Sequence, residues 1–182
     1  RDHWLPSLPM MHQREALESA LVRVRATAVR DLNRLFPQAE RGETLELARR
    51  ASRRWPEERE SAWSQALAEM HEWPGDGDEA LPQWLALGEL LLTKEGGWRK
   101  RLDKNVGFPT SKDKQEKIDL DAVKARMLAL LARLDGSPQG GLLAASLSGL
   151  RSLPPATYTD PQWEVLGAIV RLLPVATAML WS

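Results

Sequence analysis

The sequence predicts an all-α protein, an irregular bundle of about seven helices with one long basic loop. Apolar residues recur at spacings of three and four along most of the chain, which is the spacing of one helix face. No segment alternates apolar and polar residues as a half-buried strand does, and β-branched residues are sparse beside Leu, Ala, Glu and Arg. Because no unit recurs at a period of about 30 to 50 residues, a helical solenoid is disfavoured.

The first half of the chain is predicted to form four helices, over residues 10–36, 43–54, 57–72 and 80–93. Proline residues at positions 37, 56 and 74 and the turn sequence GDGDE at 75–79 separate them. The apolar face of the first helix is predicted to consist of Leu17, Leu21, Val24, Ala28, Leu32 and Leu35. That of the third helix is Trp63, Leu67 and Met70. That of the fourth is Trp84, Leu87, Leu90 and Leu91.

The second half begins with a predicted long exposed loop at 94–117, which has three Gly, one Pro and no sustained apolar period. Helices then follow over 120–134, with Asp119 as the expected N-cap, and over 142–150. A last helix starts at Asp160-Pro161 and is expected to kink or break at Pro174. We expect residues 1–182 to form a single helical domain.

Composition removes several classes of function. The chain contains no Cys, which excludes thiol catalysis, Cys-ligated zinc and disulfides, and makes a cytoplasmic location the simplest expectation. Lys and Arg together number 25, and Asp and Glu together number 25, so net charge favours neither nucleic acid nor a membrane surface as a partner.

The apolar stretch at 165–181 is too short to span a bilayer, and no membrane contact is expected. Because residue 1 is Arg rather than Met, we expect the chain to be part of a longer protein.

No motif of a catalytic site is recognisable. A phosphate-binding loop needs GxxxxGK, and the dipeptide Gly-Lys does not occur. The three histidines (His3, His12 and His71) lack metal-ligand spacing, and no GxSxG sequence is present. Asp78-Glu79 follows a glycine turn rather than a buried strand, so it is a turn and not a magnesium-binding pair. We therefore expect no catalytic residue, no metal and no cofactor in this fragment.

Positive charge is concentrated in residues 93–117, which we call the basic loop. Eight basic and four acidic residues give it a local charge of +4, and the rest of the neutral chain then carries −4. Such a segment suits the phosphates of DNA, because Lys and Arg displace condensed counterions without reading bases. Gly96 and Gly97 let the backbone approach a ligand closely. Trp98 either stacks on an unpaired base or folds back to anchor the loop. A solvated charge run is the alternative for the loop as a whole.

Two strings of residues resemble the AddA/RecB branch of UvrD-like superfamily 1 helicases. The string from Leu92 to Lys100, LTKEGGWRK, resembles an LTKxGxxRK pattern of that branch. The later strings LPP at 153–155, YTD at 158–160 and QWEVL at 162–166 resemble a segment that those proteins carry before their Walker B strand. The resemblance covers roughly residues 85–182, whereas residues 1–84 match only in being helical.

The resemblance implies an all-helical subdomain inserted into the first RecA-like motor domain of an ATP-dependent DNA helicase acting in repair or recombination. ATP and Mg²⁺ would bind elsewhere in the parent protein, which could also carry a nuclease domain. The implied partners are DNA, the motor domains of the same chain and a second helicase–nuclease subunit. The predicted DNA-binding residues are Thr93, Lys94, Gly96, Trp98, Arg99, Lys100, Arg101 and Lys104. The competing hypothesis is a protein-interaction module that docks a partner through its apolar C-terminal helix.

Overall fold

The computed structural model describes residues 8–55 and 62–153, which form six α-helices and no strand. In chain order these are α1 (Leu8–Leu35), α2 (Gln38–Ser52), α3 (Ala62–Glu69), α4 (Leu81–Leu91), α5 (Lys114–Asp135) and α6 (Gly140–Gly149). The all-α prediction is confirmed, with six helices in the described residues rather than about seven. The helix predicted from Asp160 and the apolar stretch at 165–181 lie outside the described residues.

Contacts divide the chain into two compact units. One unit is residues 26–152, and the other is residues 1–25 with 153–182. Of the second unit, only residues 8–25 and 153 are described. The site and the core discussed below belong to the first unit. Among the described residues, no helix is both long enough and apolar enough to cross a membrane.

The apolar face of α1 differs from the predicted one. Leu21 and Leu32 are buried as expected, but Val24 is 51% exposed and Val29 is fully buried. The observed stripe runs through Leu21, Val29, Leu32 and Phe36, so it is rotated about the helix axis from the predicted one. Both valines fit an apolar spacing in the sequence, so only the packing distinguishes them. Helix α1 ends at Leu35, before Pro37, as predicted.

Helix α4 lies at the centre of the 26–152 unit and is buried on nearly all sides. It packs against α3 and α6, and Trp84, Leu87, Leu90 and Leu91 are all fully buried. An aromatic cluster holds it to the end of α1. The ring centroids of Phe36 and Trp73 are 4.6 Å apart, and those of Trp73 and Trp84 are 5.4 Å apart. Such pairs add to the stability gained from burial alone.

Ion pairs join the exposed sides of α2 and α5. The Arg126 guanidinium lies 2.9 Å from the Glu46 carboxylate, and Arg133 lies 2.9 Å from Glu40 and also pairs with Glu43. The Arg126 hydrogen bond lowers the pKa of the Glu46 carboxyl below its ordinary value, against an opposing effect of burial. Exposed pairs contribute little individually, so this ladder orients α2 against α5 more than it stabilises them.

The prediction of an exposed loop at 94–117 is wrong in two respects. The segment contributes four apolar side chains to the core, Trp98, Leu102, Val106 and Phe108. It also ends earlier than predicted, because α5 begins at Lys114. The four buried residues follow no helical or strand period, so the apolar pattern of the sequence could not identify them.

The N-cap of α5 is Asp113, not Asp119 as predicted. Its Oδ1 accepts a hydrogen bond from the backbone N–H of Glu116 at 2.8 Å, and Ser111 Oγ donates to Glu116 Oε2 at 2.6 Å. The first turn is exposed and has only Ile118 as an apolar residue, and Ile118 is exposed too. The helix starts there because side chains satisfy its free amides, which needs no apolar face.

Candidate nucleic-acid interface

The predicted DNA-binding residues begin in a tight turn, residues 92–99, directly after α4. Leu92 and Trp98 pair in an isolated antiparallel bridge. Inside the turn, Thr93 N–H donates to Gly97 O at 2.8 Å and Gly96 N–H donates to Thr93 O at 3.1 Å. Gly96 has a φ of 84°, a left-handed conformation that glycine adopts without steric cost. The backbone of this part of the basic loop is therefore held by its own hydrogen bonds.

Arg151, which the sequence did not indicate, ties this turn to the end of α4. Its Nη1 donates to Thr93 O at 2.9 Å, its Nη2 donates to Gly88 O at 3.3 Å, and its Nε lies 2.8 Å from Glu89 Oε1. The guanidinium thus adds a second hydrogen bond to two carbonyls that already accept one from the backbone, Gly88 O from Leu92 N–H and Thr93 O from Gly96 N–H. It lies at the C-terminal end of α4, where positive charge is favoured. Because 58 residues separate Arg151 from Thr93, no local pattern points to this contact.

Arg99 also turns toward the protein rather than toward solvent. Its Nη2 donates to Glu89 O at 2.9 Å, and the residue is only partly exposed. Burial lowers the pKa of the Arg99 guanidinium, and the nearby Glu89 and Asp103 carboxylates oppose that shift. The guanidinium remains charged, since even a lowered arginine pKa stays far above neutrality. Its observed role is to complete the C-terminus of α4, which leaves less of it for a phosphate.

Trp98 anchors the turn to α6. It is 7% exposed, and its indole Nε1 donates to Gly140 O at 3.2 Å. Of the two roles left open by the sequence, the structure shows the anchor, and in this conformation the ring is not accessible for stacking on a base. A side chain at Gly96 would meet the same helix, because an added methyl would lie 2.7 Å from Ser148 Oγ.

The remaining predicted cations of the basic loop point to solvent. Lys94, Lys100, Arg101 and Lys104 are all exposed, and Gly96 and Thr93 are partly exposed. The Glu95 carboxylate lies among them, and hydrogen bonds from its own backbone N–H and from the Thr93 hydroxyl lower its pKa. The structure therefore brings the predicted residues together in one segment. Of the eight, Trp98 and Arg99 hold the segment to the fold, Thr93 and Gly96 form its partly exposed turn, and the other four are exposed cations.

The described residues hold no cluster of three or more His, Asp or Glu side chains of the kind that binds a metal ion. The chain matches no protein-family model, no curated protein and no solved structure.

Replacing Arg151 with Lys is expected to lower the free energy of unfolding by about 1.5–3 kcal/mol, although the charge is kept. A lysine ammonium cannot reproduce the fork that reaches Thr93, Gly88 and Glu89 together, and hydrogen bonds to charged groups contribute this much. Urea denaturation measures the change. The matched control is Arg133→Lys, whose exposed pairs predict a loss of about 0–1 kcal/mol. Equal losses for the two variants would contradict a special role for Arg151.

Proposed function

We propose that this chain is a DNA-contacting accessory subdomain of an ATP-dependent, UvrD/RecB-like DNA helicase acting in repair or recombination. It binds the phosphate backbone without reading sequence and carries no catalytic site of its own. ATP and Mg²⁺ bind the motor domains of the parent protein, which works in the cytoplasm. The motor domains and a second helicase–nuclease subunit are its protein partners.

The observation that supports the proposal is a set of four exposed cations on a segment whose backbone is held in place. Lys94, Lys100, Arg101 and Lys104 are exposed, while Arg151 and Trp98 hold the segment on α4 and α6. The string LTKEGGWRK, on which the resemblance to the helicases rests, covers this turn and its flanks. A preorganised loop loses less conformational entropy on binding than a mobile one, which supports a binding role over a solvated charge run.

The chemistry of the exposed cations suits phosphates rather than bases. Three of the four are lysines, which act as point charges on flexible stems and accept many geometries. Phosphate contacts set the register and orientation of a protein on DNA but carry no sequence information. We therefore expect similar affinity for unrelated sequences and a strong dependence on salt.

Changing Lys94, Lys100 and Arg101 together to Gln is expected to reduce the salt dependence of DNA binding. Each lost phosphate contact on a duplex reduces the slope of log affinity against log salt by about 0.9, so three contacts reduce it by about 2.7. Fluorescence anisotropy of a labelled forked DNA, titrated at several KCl concentrations, measures the slope. The weakening should be the same for unrelated DNA sequences.

The matched control changes three exposed arginines of α1, Arg23, Arg30 and Arg34, to Gln. This variant has the same net charge as the loop variant but keeps the basic loop, so its slope should stay near that of the unchanged protein. Equal effects of the two variants would show a general response to net charge and would remove the loop from the interface. A chain that binds no DNA at low salt would contradict the proposal itself.

A further inference from the structure

A second basic surface lies between the C-terminal end of α2 and the first half of α5. The two helices enclose an open groove of about 490 Å³. Four guanidinium groups line it, those of Arg50, Arg53, Arg54 and Arg126, and Asp119 is its one acidic residue. These four arginines come from two helices that are distant in the sequence, so no local pattern indicates that they line one groove.

The four arginines differ in whether a carboxylate already pairs with them. Arg50 lies 3.0 Å from the Glu46 carboxylate, and Arg126 shares that carboxylate at 2.9 Å. Arg53 and Arg54 are exposed and form no ion pair with any residue in 8–55 or 62–153. Within the described residues, carboxylates thus hold Arg50 and Arg126 in place, whereas Arg53 and Arg54 have no carboxylate partner.

The groove adjoins the basic loop through a backbone contact. Gly107, at a φ of 80°, packs so closely on Ala51 that a methyl group added to it would overlap the Ala51 carbonyl. Ala51 lies between Arg50 and Arg53 in the last turn of α2. On the loop side, Gly107 ends the short 3-10 turn that carries exposed Lys104. The short turn that carries Lys104 therefore packs directly against the helix end that carries Arg53.

We propose that the groove binds a phosphate group of the same nucleic-acid strand that the basic loop contacts. The inference rests on the proposed function and extends it from a single loop to a path along the surface. Guanidinium is the better group for this end of the path, because its planar fork donates two parallel hydrogen bonds to one phosphate. The expected ligand of the groove is therefore a phosphodiester group of a polyanion.

A structural role for the same residues makes a different prediction. Cations at a helix C-terminus stabilise the helix through its dipole, and Arg53 is the C-cap of α2. If that were their whole contribution, removing them would lower the melting temperature and leave DNA binding unchanged. Binding and thermal stability are therefore measured on the same samples.

The test changes Arg53 and Arg54 together to Gln and measures binding of labelled forked DNA at several salt concentrations. Loss of two phosphate contacts should reduce the salt slope by about 1.8, which corresponds to about 60-fold weaker binding at 0.1 M salt if the electrostatic contribution vanishes near 1 M. The control variant is Arg30→Gln with Arg34→Gln, which removes two exposed arginines of α1. It should bind as the unchanged protein does.

The outcomes separate the groove from the loop. A reduced slope for the Arg53/Arg54 variant, with the control unaffected, supports the groove. An unchanged slope, while the Lys94/Lys100/Arg101 variant is weakened, overturns the groove and leaves the proposed function intact. A weakened groove variant beside an unaffected loop variant would show a groove that binds DNA without the loop, which overturns a strand shared by the two. A chain that binds no DNA overturns both, and equal loss in the control variant also overturns the groove.

Discussion

Replacing Trp98 with alanine is expected to lower the free energy of unfolding by about 3–5 kcal/mol, as truncation of a buried aromatic residue does. The indole is 7% exposed and packs where the basic loop meets α6, with its N–H bonded to Gly140 O. Removing it opens a cavity and frees the turn from α6. Urea denaturation followed by far-ultraviolet circular dichroism measures the loss.

The matched control for this variant is Trp98→Phe, which keeps an aromatic ring and loses the indole N–H. A neutral hydrogen bond contributes about 0.5–1.5 kcal/mol, so the phenylalanine variant should lose clearly less than the alanine variant. DNA binding by the phenylalanine variant should be retained, because the exposed cations would stay in place. An alanine variant as stable as the unchanged protein would mean that Trp98 does not anchor the loop.

Replacing Gly107 with alanine is expected to lower the free energy of unfolding by about 2–5 kcal/mol. A left-handed conformation costs a residue with a Cβ about 1–2 kcal/mol, and moving backbone to relieve an overlap costs about 1–3 kcal/mol more. The φ of Gly107 is 80°, and the new methyl would overlap the carbonyl of Ala51. The loop must then separate from the end of α2.

Gly42→Ala is the control for this second variant. Gly42 lies within α2, and an added methyl there has no atom within 4 Å. Alanine is favoured over glycine in a helix interior by about 1 kcal/mol, so this variant should be slightly more stable. The two glycine changes are thus expected to shift the urea midpoint in opposite directions. A neutral Gly107→Ala would show that the loop does not depend on its contact with α2.

The core residues of α4 were predicted well, because local apolar spacing is enough to identify them. Residues of α4 such as Trp84 and Leu87 were identified as core from the sequence and are fully buried. An apolar helix face must pack against other apolar surface, and in α4 nearly the whole circumference of the helix is apolar. The end of α1 before Pro37 was predicted for the same local reason, since proline acts on its own backbone.

The exposed cations of the candidate site could be named from the sequence, but the different roles of its residues in the fold could not. Lys94, Lys100, Arg101 and Lys104 could be named because charge and glycine content are local properties. Trp98 and Arg99 look equally suited to DNA in the sequence, yet one is buried against α6 and the other bonds to the end of α4. Nothing in their neighbours along the chain distinguishes these roles.

By itself, the sequence determined the helical class, the approximate position of the helices and the segment on which positive charge accumulates. Only the tertiary structure decided that this segment is held in place, that Arg151 holds it, and that the arginines of α2 and α5 line one groove. The physical reason is the distance along the chain over which each effect acts. Periodicity, turn residues and net charge act between neighbours along the chain, whereas burial and the pairing of a guanidinium with distant carbonyls depend on which helices meet.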